Sequence, residues 1–125
     1  MLKIEEMIFQ RGEDGGLIAR EVELDGLPNK PKVKIKPITR GKLQEIYAKA
    51  EGSAEDKSKA DAEIIKSGLV EPELTEEQLA DLKPQFANAI SIAILAVSVG
   101  MSQKEVSEKA QDEVIKQQEI ELKKN

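Results

Sequence analysis

Neither cysteine nor histidine occurs anywhere in this chain. Without thiols there are no disulfides, no thiolate metal sites and no cysteine nucleophiles. Without imidazoles, most zinc sites, the Ser-His-Asp triad and the commonest general base near neutral pH are also excluded. An enzyme built on this chain would have to work with carboxylates, lysines or Tyr47. Tryptophan is absent too, and Tyr47, Phe9 and Phe86 are the only aromatics. The core must therefore come from Ile, Leu, Val and Ala; it will be small, and assembly can complete it.

At 125 residues the chain fits one domain of ordinary size. The expected organisation is a β-rich part over residues 1–37, a helical core over 38–100 and a polar C-terminal helix or tail over 101–125. The N-terminus carries Lys3, Glu5 and Glu6 before any apolar stretch can develop, so no secretion signal is expected and the cytoplasm is the expected compartment. The longest apolar run, residues 86–99, falls short of the roughly 20 residues a spanning helix needs, and Asn88, Ser91 and Ser98 dilute it. No membrane role is expected.

Two strand pairings are expected in the first third. Met7-Ile-Phe9 and Leu17-Ile-Ala19 flank a glycine-rich turn in which Asp14-Gly15 supplies the positive φ that a hairpin needs. More clearly, Glu21-Val-Glu-Leu24 and Lys32-Val-Lys-Ile-Lys36 each alternate charged and apolar residues, the period-2 pattern of a half-buried strand. Antiparallel pairing would put Val22, Leu24, Val33 and Ile35 on the inner face and oppose Glu to Lys outside. The same pairing accounts for the basic cluster Lys30, Lys32, Lys34, Lys36, Arg40 and Lys42 without a ligand.

Beyond Pro37 the pattern turns helical. Thr39 is an N-cap for a helix through Leu43, Ile46, Tyr47 and Ala50, closed by Gly52. A polar stretch over 53–62 is a loop or the exposed start of a helix carrying Ile64 and Ile65, and Gly68 suits its C-terminus. Thr75-Glu-Glu-Gln78 matches a capping box opening a short helix through Leu79 and Leu82. Pro84 suits the first turn of the next helix, whose Phe86, Ile90, Ile94 and Val97 form one apolar stripe. Ile92, Leu95 and Val99 invade the weaker side marked by Asn88, Ser91 and Ser98, so this helix should have neighbours nearly all round. Gly100 ends it, and Ser102-Gln-Lys-Glu105 opens a last, polar helix with a second capping box. Its apolar residues, among them Val106, Val114 and Ile120, keep no heptad register. The fold class is α+β, mainly α: an N-terminal β hairpin segment followed by a small helical bundle with one strongly apolar helix.

A search for chemistry yields little. Gly12, Gly15 and Gly16 lack the Gly-Lys-Ser/Thr ending of a phosphate loop and read as a turn. The acid pairs Glu76-Glu77 and Asp56 with Asp61 read as solvated helix-start residues rather than a carboxylate mechanism. No catalytic, cofactor or metal site is expected. The lysines of residues 30–42 lack the interleaved aromatics of single-strand binders, and the chain carries a net charge of −5, with acids outnumbering bases ten to three over residues 51–81. The stripe Phe86, Ile90, Ile94, Val97 is either an ordinary core face or a subunit or partner interface, and the two are not exclusive.

At these residues the chain resembles the tail assembly chaperones of long-tailed (siphovirus-like) phages and prophages. The resemblance runs over roughly residues 33–100. It is carried by Lys32-Val-Lys-Ile-Lys-Pro-Ile-Thr-Arg40, by Ile64-Ile-Lys-Ser-Gly-Leu-Val-Glu-Pro72, by Leu74-Thr-Glu-Glu-Gln-Leu79 and by the apolar helix ending at Ser98-Val-Gly100. It implies a non-enzymatic, self-associating protein of the host cell cytoplasm that coats a tape measure protein during tail morphogenesis and is absent from the mature virion. It further implies a longer frameshift product that contacts the tail tube protein. Two other readings stand beside it: a structural tail-tube or head-tail joining protein, motivated by the β hairpins, and a nucleic-acid-associated regulator using the basic cluster.

Overall fold

The alternation of Val22 with its charged neighbours and of Val33 and Ile35 with lysines produces the expected hairpin. In the computed structural model, which describes residues 1–49 and 54–109 and the side chains of 1–49 and 59–109, β1 (Arg20–Glu23) pairs antiparallel with β2 (Lys32–Ile35). Val22 stands opposite Val33, Glu21 opposite Lys34 and Glu23 opposite Lys32. Leu24, Val33 and Ile35 are buried, so the predicted inner face is the observed one.

Ahead of the hairpin the sequence misleads. Ile4–Met7 forms a single helical turn, α1, so Met7 ends a helix where the strand Met7-Ile-Phe9 is expected to begin, and the Lys3 amide donates to the Glu6 carboxylate at 3.2 Å. The first hairpin shrinks to one bridge between Arg11 and Leu17 around the predicted turn. Gly15 there has φ 79°, the Gly16 amide donates to the Asp14 carboxylate, and the Arg11 guanidinium donates to the Gly15 carbonyl.

Helix α2 (Arg40–Lys49) starts where Thr39 predicts, the Lys42 amide donating to the Thr39 hydroxyl at 3.3 Å. It buries Ile46, while Leu43 is half-buried and Tyr47 is exposed. The expected positions of Ala50 and Gly52 lie outside the described residues. Helix α3 (Ala54–Gly68) buries Ala60, Ile64 and Ile65 and runs directly into an unpredicted strand, β3 (Leu69–Glu71). β3 pairs antiparallel with β2, so the sheet order is β1-β2-β3. Three residues are too few to show a period; this strand is created by its partner, with the Lys36 amide donating to the Gly68 carbonyl.

After a cis peptide bond at Pro72, α4 (Glu76–Ala80) opens with the predicted capping box. The Gln78 amide donates to the Thr75 hydroxyl, and the Thr75 amide to the Gln78 side-chain oxygen. Helix α5 (Pro84–Val99) buries Ala89, Ile90, Ser91, Ala93, Ile94 and Ala96, which together cover rather more than half of the way round its axis. Its weaker side is only partly covered, against the expected neighbours nearly all round: Asn88 and Val99 are exposed, and Ile92 and Leu95 are half-buried. Ser91 is buried with its hydroxyl donating to the Asn88 carbonyl, and Ser98 donates to the Ile94 carbonyl while accepting from the Ile38 amide at 2.8 Å. Gly100, at φ 72°, caps the helix. The described part of a last helix, α6 (Gln103–Lys109), sets off at 105° to α5. At its start the Glu105 amide donates to the Ser102 hydroxyl, which donates in turn to the Glu105 carboxylate, a variant of the expected capping box.

With about 52% helix and 13% strand the fold is α+β, mainly α. The core lies between the inner face of the sheet and α2, α3 and α5, and it contains only Leu, Val, Ile and Ala beside Ser91. None of the three aromatics is buried. Small residues stand among the isoleucines in place of large side chains: Ala60, Ala89 and Ala93 belong to the core, and Gly68 of α3 lies directly against Ile94 of α5.

Candidate functional site

The predicted stripe sits in this core. Ile94 is 0% exposed and Ile90 is buried, while Phe86 and Val97 are half-buried and packed against the same cluster. The fold engages all four in its own packing. Val97 also reaches a surface cleft, a pocket of about 180 Å³ that it shares with Phe9, Ile18 and Arg20.

Half of the basic cluster, Lys32, Lys34 and Lys42, is matched by acids. Lys34 lies in register between Glu21 on β1 and Glu71 on β3, and Lys32 faces Glu23 and approaches the Glu21 carboxylate at 3.6 Å. Lys42 pairs with Glu45 at 3.7 Å. The outer face of the sheet is a mixed-charge ladder, not a continuous cationic track for phosphates.

Two surfaces escaped the sequence. The first is the N-terminal segment, where Leu2, Ile4, Met7 and Ile8 are 61–73% exposed, with Ile18 and Val99 also open. Large apolar side chains at this density on one short segment mark a surface that gains by being covered. Polar neighbours Lys3, Glu5 and Glu6 obscure it in the sequence, because a single turn carries no repeat.

The second is a groove of about 540 Å³ walled by α3, α4 and the start of α5. Ile65, Leu79 and Leu82 form its apolar floor, and Asp61, Lys66 and Glu76 stand at its rim. Lys66 donates to the Glu76 carboxylate at 2.8 Å, which raises the lysine above its ordinary pKa and holds the carboxyl below its own. Asp61 lies in the middle of α3 rather than at a helix start. It is open to solvent on one side, yet partial burial in the groove pushes its carboxyl up. The side chain of its supposed acid partner, Asp56, lies outside the described residues.

Among the described residues no group of three or more His, Cys, Asp or Glu side chains could hold a metal ion. No single helix among them is long and apolar enough to cross a membrane. Comparison of the chain with protein-family models, curated proteins and solved structures gives no match.

Proposed function

We propose that the chain is a tail assembly chaperone of a long-tailed phage or prophage, a non-enzymatic protein that self-associates and coats a tape measure protein in the host cytoplasm. The observation that supports this reading best is the uncovered apolar segment at Leu2, Ile4, Met7 and Ile8, set among charged residues. A protein that shields a long, largely helical, aggregation-prone chain needs such an apolar face with solvated flanks. The segments that carry the resemblance build the strand-to-helix passage at Pro37, the Gly68 junction and the capped α4. On this reading the contact face is the N-terminal segment, and the stripe on α5 holds the fold that presents it.

Co-expression with a candidate tape measure protein, followed by affinity pull-down and light scattering, tests the proposal. A soluble complex with many copies per tape measure is expected. A strictly monomeric protein at high concentration, from which a soluble tape measure never co-purifies, overturns it. The β1-β2 hairpin, whose outer β1 edge pairs with no other described strand, favours the tail-tube or head-tail joining reading next. That reading requires the protein in purified particles.

A further inference from the structure

We propose that the groove between α3, α4 and the start of α5 seats an amphipathic helix of a partner protein, its apolar face on Ile65, Leu79 and Leu82 and one Lys or Arg reaching Asp61. The proposal concerns a surface distinct from the N-terminal segment and does not depend on the tail-assembly reading.

Shape and charge argue for this occupant together. The walls are helices, and their groove-lining positions recur at three- and four-residue spacing, Asp61 with Ile65 and Pro84 with Ala87. Ala62, Ala80 and Ala87 line the groove with methyl groups only, which lets another helix axis come within the 8–10 Å or so of ordinary helix packing. None of the sheet strands lines it, so an extended peptide would find no backbone edge to pair with.

The rim defines the polarity. Lys66 and Glu76 close on each other, leaving that side neutral. Asp61 has no ion-pair or hydrogen-bond partner among the described residues, and its carboxylate is partly desolvated where it stands. Among the described residues the uncompensated charge at this lip is a single negative one, and a cation delivered beside the apolar floor would relieve it. Among the described residues a second copy is a poor source: α2 and α5 turn Ile46, Ile90 and Ile94 into their own core, and α1 is one turn long.

The test uses the full chain, isotopically labelled, titrated with two synthetic helical peptides. Both carry leucines at i, i+3, i+4 and i+7, and they differ only in one flanking residue, Arg or Glu. The expected result is amide shifts confined to α3, α4 and the start of α5, with the Arg peptide bound about five- to tenfold more tightly. Asp61→Arg should invert that preference, and Ala80→Trp should abolish binding of both while leaving the melting curve in place, since both positions are exposed. The proposal is overturned by shifts centred on residues 1–8, by equal binding of the two peptides, by a preference that survives Asp61→Arg, or by no groove shifts at saturating peptide. Self-association that disappears in Ala80→Trp would also overturn it, by making the occupant a second copy.

Discussion

Gly68 lies so close to Ile94 that a Cβ added to it would stand 2.5 Å from the isoleucine Cγ2 and 2.8 Å from its Cδ1. The glycine is required by proximity and not by backbone angle, since its φ is not positive. Gly68→Ala gains up to about 1 kcal/mol of helix propensity, but it overpacks a site where Ile94 is fully enclosed, at a cost of about 1–3 kcal/mol. Denaturant titration should therefore show net destabilisation. Ile94→Ala in the same chain should relieve the clash, making the double variant less destabilised than the sum of the two singles.

Ser98 joins the end of α5 to the chain entering α2 by accepting from the Ile38 amide. Ser98→Ala leaves that half-buried donor unpaired, and a loss of about 1–3 kcal/mol is expected. Faster hydrogen exchange at Ile38, ahead of the rest of the core, is the accompanying signature.

Ile94→Asp and Ile8→Asp should part company. The first places an unpaired carboxylate in the core and should unfold the chain, seen as loss of the cooperative melt by circular dichroism. The second changes an exposed side chain and should shift stability by no more than about 0.5 kcal/mol. If the N-terminal segment is the contact face, light scattering should show Ile8→Asp as folded but less associated than the unaltered protein.

Two carboxylates on the groove rim give opposite pH signatures. Glu76 is held below its ordinary 4.5 by Lys66, so its contribution is present above that value and lost as pH falls through the lower folded-state value. Glu76→Gln should accordingly destabilise slightly at neutral pH, less so in high salt, and not at all in acid. Asp61 is raised above 3.8 by burial, so folding favours its protonated form and the penalty appears as pH rises through the folded-state value. Asp61→Asn should melt above the unaltered protein near neutral pH, with the gap closing in acid.

Particular residues show where sequence reading succeeds. The hairpin was legible because Val22, Val33 and Ile35 alternate with charges over enough residues to show a period. The capping box at Thr75 and Gln78 was legible because both partners lie within one turn. β3 was not, because Leu69–Glu71 becomes a strand only by lying beside β2. Gly68 was placed correctly at a helix end, but its reason lies 26 positions away in Ile94. The stripe on α5 was legible as apolar; its location inside this core needed the neighbouring helix and sheet. Asp61 was legible only as one of a pair of acids; its groove was not, since the walls come from three separate helices.

Gln103 bridges the last turn of the hairpin to the chain beyond α5, its amide donating to the Glu23 carbonyl at 2.7 Å and accepting from the Asp25 amide at 3.1 Å. With Gly100 turning the backbone and Gln103 latching it, α6 takes its bearing from the sheet rather than from the helix that precedes it. The start of α6 is thereby pinned to the sheet, and a Gln103→Ala change would release the angle without touching the core.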